Sequence, residues 1–277
     1  MNIENYQKLY KIFSDKEWHS KKEFNNTVFN NFCTLLSNLN EAQQNLIIEL
    51  TERYEWLSFT EYNSCLIKIF NLIPQSEIDS TNKIFLFPII NLDDEEKTKS
   101  GHGILLMFRG IKPFLSRFNK INFTEVEQFE YFDNGFELKD DELIYLLDDF
   151  LGSGSTLNST ISTLLNKNIS ISKIRVLSIA THIQAINYLE QHKIIYYTHL
   201  ITKKGISEFY TDEDTIKEKI EIMRQIEKML PTKRYNFGFG KSEALVTLYR
   251  TPNNTFPIFW LEHIKNEERF QAPFPRF

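Results

Sequence analysis

The stretch ELIYLLDDFLGSGSTLNSTISTLL, residues 142–165, reads as a strand, a loop and a helix in immediate succession. Ile144 to Leu147 form an apolar run that predicts a buried strand, which ends in two acids, Asp148 and Asp149. A small-residue loop, Gly152-Ser153-Gly154-Ser155-Thr156, follows, and Leu157, Ile161, Leu164 and Leu165 then recur at helical spacing. Ligands of parallel sheets bind beyond the carboxyl ends of the strands. A glycine-bearing loop that opens a helix points several backbone N–H groups at an anion, and the hydroxyls of Ser153, Ser155 and Thr156 add donors. Two adjacent carboxylates cannot accept phosphate but suit a vicinal diol or a magnesium ion. Together the pieces describe a site for a sugar phosphate. The plainer alternative is a strand-turn-helix connection with a capping Ser or Asp, which needs neither two consecutive acids nor glycine-flanked serines.

Outward from this stretch, β-branched and aromatic runs alternate with helix-length segments: KIFLFPIIN (83–91), INFTEVEQF (121–129), IRVLSIA (174–180) and IIYYTHLI (194–201). Such alternation predicts crossover units and an α/β fold with a mostly parallel sheet. Ile104, Met107, Phe108, Ile111, Leu115 and Phe118 keep a helical period, predicting a helix kinked near Gly110 and Pro113. Before the sheet, apolar residues from 22 to 71 predict three amphipathic helices. The polar segment PQSEIDSTN, 74–82, marks the first boundary. The resulting division is an N-terminal helical region (1–73), a core (83–201) and a C-terminal region (202–277). This last region has a solvated helix at 213–230, then a hairpin of EALVTLYR and TFPIFW joined by TPNN.

Composition narrows the classes. Hydrophobic residues at 42% and charged residues at 25% of 277 describe a folded globular chain. A net charge of -5 supplies no global field for nucleic acid or an anionic membrane, so any phosphate site must be local. Cys33 and Cys65 make neither a disulfide framework nor a zinc site, which fits a reducing cytoplasm. No targeting segment or membrane-length apolar run is visible. The 24 Phe and 12 Tyr predict dense aromatic cores. His192, His199 and His263 lack metal-ligand spacing, and His182, which follows a strand, reads either as lining the site or, more commonly for a lone His there, as a polar cap.

DDFLGSGST resembles the signature of type I phosphoribosyltransferases. The resemblance implies that Asp148 and Asp149 bind the ribose hydroxyls of phosphoribosyl pyrophosphate (PRPP), with Mg2+ nearby. It implies further that Gly152, Ser153, Gly154, Ser155 and Thr156 hold the 5'-phosphate. The pyrophosphate loop of that family corresponds to DDEEKTKSGHG, 93–103, with Lys97, Lys99, Ser100 and Gly101 as the matching residues. Asp148, Asp149 and Lys99 would then be the catalytic set of a glycosyltransferase. Salvage enzymes of 6-oxopurines carry an acid where this chain has Gly152, so the resemblance does not extend to purine salvage.

The Pro88 strand followed by KSG, the DDFLGSGST loop, and the late GFG with TPNNTFPIFW are similar to phosphoribosyltransferase-like effectors of bacterial conflict systems, including retron-type operons. That likeness implies an effector in antiviral defence with a protein partner from its operon, and leaves room for a homo-oligomer. It also implies a C-terminal hood in which Tyr235, Phe237 or Phe239 stacks on a base and Lys241 lies near phosphate. The alternative is a non-catalytic module that senses PRPP or a ribose-phosphate nucleotide and regulates a partner.

Overall fold

The computed structural model describes residues 1–21, 25–94, 99–133, 135–231, 233–265 and 268–276. In chain order the first elements are α1 (Ile3–Asp15), α2 (Asn25–Ser37), α3 (Glu41–Glu52), β1 (Glu55–Trp56), α4 (Tyr62–Leu72) and α5 (Gln75–Asp79). There follow β2 (Lys83–Pro88), α6 (Ser100–Ile111), β3 (Asn122–Glu125), β4 (Glu142–Leu151), α7 (Ser155–Asn166), β5 (Ile174–His182), α8 (Ile183–Gln191) and β6 (Ile195–Thr202). The chain continues through α9 (Glu213–Glu227), β7 (Val246–Thr247), β8 (His263–Lys265) and β9 (Glu268–Phe270). No helix among the described residues is long and apolar enough to cross a membrane.

These elements form two compact units, Thr60–Ile201 and the joined termini Met1–Phe59 with Thr202–Phe277. The first carries the α/β fold expected from the strand runs, a five-stranded sheet in the order β3-β2-β4-β5-β6. β2 pairs in parallel with both β3 and β4, and β4 pairs in parallel with β5. The chain therefore leaves β2 toward one edge and resumes at β4 toward the other. The carboxyl ends of β2 and β4 thus flank a topological switch point, where sheets of this kind place their ligands.

Each face of the sheet is covered. Leu157, Ile161 and Leu164 of α7 and Leu189 of α8 bury one face with Phe85, Phe87, Ile144 and Leu146. On the other face Phe70 of α4 lies 5.5 Å from Phe108 of α6 and 6.5 Å from Tyr145 of β4, ring to ring. Below the carboxyl edge Glu77 of α5 accepts from the Tyr145 hydroxyl (2.7 Å) and pairs with Arg175 (2.6 Å). The polar segment 74–82, which composition marks as a boundary, thus anchors a helix to the sheet, and the units divide at 59/60 instead.

The second unit is organised by aromatic packing. Phe13, Trp18, Phe32 and Tyr54 from its N-terminal part share a core with Phe256, Phe259 and Phe274. The Tyr54 and Phe274 rings stack at 5.0 Å. Two expectations are corrected. The hairpin of EALVTLYR with TFPIFW does not form: Val246–Thr247 pairs in parallel with Glu55–Trp56, and Pro257 opens a 3-10 turn over Pro257–Phe259. The Leu245 and Thr247 carbonyls accept from Glu55 and Leu57 N–H groups, so that strand edge is occupied by a partner from the other end of the chain. The long kinked helix ends at Ile111, and two 3-10 turns, the first containing Pro113, carry the apolar stripe onward.

Candidate functional site

The carboxyl end of β4 carries Asp148 and Asp149, 8% and 9% exposed. Asp148 sits opposite Ser178 of β5 in the ladder. Its Oδ1 accepts from the Ser100 hydroxyl at 2.5 Å and from the Asp149 N–H at 2.9 Å. Oδ2 of Asp149 accepts from the Tyr62 hydroxyl at 3.0 Å. Burial, with the neighbouring Asp149 charge, pushes the Asp148 carboxyl well above its ordinary range. Burial raises Asp149 too, while hydrogen bonds from Ser100 and Tyr62 oppose the shift. Two acids kept costly in this way at a strand end are poised for donors or a cation from a ligand.

The N-terminus of α6 reaches these acids because residue 101 has no side chain. A Cβ on Gly101 would lie 2.8 Å from the Leu147 carbonyl oxygen and 2.9 Å from Pro88 Cβ. Only glycine lets the helix start pack onto the ends of β2 and β4 and set Ser100 against Asp148. Lys99 precedes this helix in extended backbone and is half-buried, and its N–H donates to His102 Nδ1 at 3.2 Å. Ser100, which the family resemblance assigns to pyrophosphate, has its hydroxyl on the acid pair. Lys97 lies outside the described residues.

After β4 the chain turns through Gly152–Gly154 into α7. Gly154 sits at the N-cap with φ +80°, a left-handed conformation that glycine adopts without strain. Gly154 has no side chain to cap this end, Ser153 Oγ reaches the Ser155 N–H at 3.4 Å, and the other first-turn N–H groups of an α-helix have no intrahelical acceptor. Ser155 is exposed, and Ser153 and Thr156 are half-buried. The loop therefore offers an anion several backbone donors with hydroxyls around them. Gly152 puts no carboxylate beside them.

Asp148, Asp149, Ser100, Gly101 and the loop from Gly152 to Thr156 all belong to the sheet unit. The stacking candidates belong to the other unit. There Tyr235 lies edge-on to Trp260 at 5.3 Å, Phe237 N–H donates to Glu227 at 2.9 Å, and Phe239 is 41% exposed. His182 caps α8, its Nδ1 accepting from the Gln184 N–H at 3.3 Å. Tyr62 was legible only as one position of an amphipathic stripe, and its hydroxyl is the one feature that separates it from Phe there.

Residues 10–276 match the model of the PRTase-CE family. Among solved structures the chain is similar to orotate phosphoribosyltransferase from Aeropyrum pernix, at 12% identity over 57% of this chain and 75% of that one, TM-score 0.30. It is also similar to the APRTase from Giardia lamblia complexed with 9-deazaadenine, at 11% identity over 50% and 77%, TM-score 0.32. No curated protein matches.

Proposed function

The chain belongs to the PRTase-CE family, and from that premise we propose that it binds PRPP or a ribose 5-phosphate nucleotide at the carboxyl ends of β2 and β4. One observation carries this reading: two buried acids stand near the end of β4, and the loop that follows them opens a helix with glycine at its cap position. The ribose diol donates to the acids, and the 5'-phosphate takes the N–H groups and hydroxyls of residues 152–156. In transfer, an acceptor nucleophile forms a bond to C1 of the ribose as the C1–O bond to pyrophosphate breaks, and Lys99 offsets charge on the departing pyrophosphate.

Magnesium fits as an ion that arrives with the ligand. Among the described residues no group of three or more His, Cys, Asp or Glu side chains could cage a metal. Asp148 and Asp149, with phosphate oxygens and water, would hold the ion, which would neutralise pyrophosphate charge. Calorimetry with PRPP and magnesium tests the reading: the paired change Asp148→Ala, Asp149→Ala should abolish binding with the fold retained. Unchanged affinity would sink it.

A second reading, a sensor without turnover, is favoured by Gly152, which supplies no carboxylate for proton transfer to a base. Phosphorus NMR separates the two, since only the enzyme releases pyrophosphate. The role as an effector of bacterial antiviral defence rests on the resemblance of the KSG, DDFLGSGST and GFG segments. In a plaque assay, loss of protection on changing both acids to Ala supports a catalytic effector.

A further inference from the structure

The three tyrosines buried among the described residues, Tyr54, Tyr62 and Tyr145, are all less than 3% exposed. In a chain with twice as many Phe as Tyr, a buried phenol calls for a polar partner. Tyr54 shares a hydrogen bond with Thr247, and Tyr145 donates to Glu77, both away from the acid pair. Tyr62 alone donates to a residue of the candidate site. It stands at the first position of α4, and Cys65, Leu66, Ile69 and Phe70 bury that helix against the sheet unit. The hydroxyl is therefore delivered by a rigid element.

We propose that Tyr62 is a positioning residue for the ribose subsite, holding Asp149 by Oδ2 so that Oδ1 faces the ribose hydroxyl. The proposal rests on the ribose-phosphate reading above. Asp149 has freedom about its side-chain torsions, and a carboxylate fixed by one oxygen presents the other in a single direction. Ser100 does the same for Asp148, whose Oδ1 it occupies. Ser100 also acts on Asp149, so hydroxyls from two separate helices hold that acid, and Tyr62 is the one that fixes its Oδ2. Without the phenol, Asp149 would populate orientations in which its free oxygen misses the diol, and affinity would fall by the fraction misdirected.

The test compares ribose 5-phosphate with orthophosphate, measured by calorimetry on the full chain. Both use the phosphate loop, and only the first uses the acids. Tyr62→Phe should weaken ribose 5-phosphate about tenfold and change orthophosphate less than twofold. Tyr62→Met, which fills the space without a hydroxyl, serves the same comparison if the Phe variant does not fold. Wild-type affinity for ribose 5-phosphate in the variant, or equal loss of both ligands, would overturn the proposal. The ribose-phosphate reading fails separately, if wild type and Asp149→Ala bind ribose 5-phosphate equally well or wild type does not bind it.

Discussion

The hydroxyl of Thr160 on α7 holds both backbone polar groups of Ile90, accepting from its N–H at 3.1 Å and donating to its carbonyl at 2.7 Å. One fully buried side chain thereby ties the segment leaving β2 to the helix that follows the Gly152–Gly154 loop. Thr160→Val keeps the shape and strands two buried groups, so it should cost about 1–3 kcal/mol in urea unfolding. It should also weaken ligands that span both loops, such as PRPP, more than orthophosphate. Equal stability of the two proteins would contradict the assignment.

Asp148 should pull stability and the proposed ligand binding in opposite directions. Its carboxylate is buried beside a second acid, and Asn at the same position keeps an acceptor for Ser100 while removing the charge. Asp148→Asn should therefore raise the melting temperature, corresponding to on the order of 1 kcal/mol, while ribose 5-phosphate binding drops at least tenfold. A lower melting temperature would show that the charge is compensated in the folded chain.

Two glycines of α6 should respond oppositely to the same change. Gly101→Ala forces a methyl against the Leu147 carbonyl and Pro88, and should cost about 1–3 kcal/mol. Gly103→Ala meets nothing within 4 Å in a helix interior and should stabilise by roughly 0.5–1 kcal/mol. Thermal melts of the pair check both signs.

Glu227 should make stability depend on pH near neutrality. Burial lifts its carboxyl from 4.5 to about 7, against the hydrogen bond from Phe237 N–H. The folded chain then binds a proton that the unfolded chain has released. The associated stability is fully present below about 4.5 and is lost as pH rises through about 7. Relative to Glu227→Gln, wild type should lose up to about 3 kcal/mol between pH 4.5 and 8 in denaturant titrations. A flat difference would mean that Glu227 stays ionised.

The parts of this molecule legible in its sequence are those governed by neighbours in the chain. The Ile144–Leu147 run, the acids after it and the glycine loop form a strand, a turn and a helix from local pattern alone, and the other strand runs pair as expected. What local pattern hides is partnership across distance. Tyr62 and Asp149 are 87 residues apart, so the phenol looks like one more core aromatic. Val246 and Thr247 look like half of a hairpin, yet they pair with Glu55 and Trp56, because Pro257 denies the adjacent segment a regular strand. Glu77 sits in a polar stretch that resembles a linker, and only Tyr145 and Arg175 reveal it as an anchor.

One unit is a continuous piece of chain, and the other is assembled from its two ends. On the ribosome the sheet of residues 60–201 can close while translation proceeds. Phe13, Trp18 and Phe32 must wait for Phe259 and Phe274, a delay on the order of tens of seconds at typical elongation rates of about 5–20 residues per second. During that interval the emerging polypeptide displays an uncovered aromatic surface, the kind of surface that chaperones bind and that aggregates when they do not. A premature stop before Phe256 would make that transient condition permanent, leaving Trp18, Phe32 and Tyr54 without the rings of Phe259 and Phe274 that cover them.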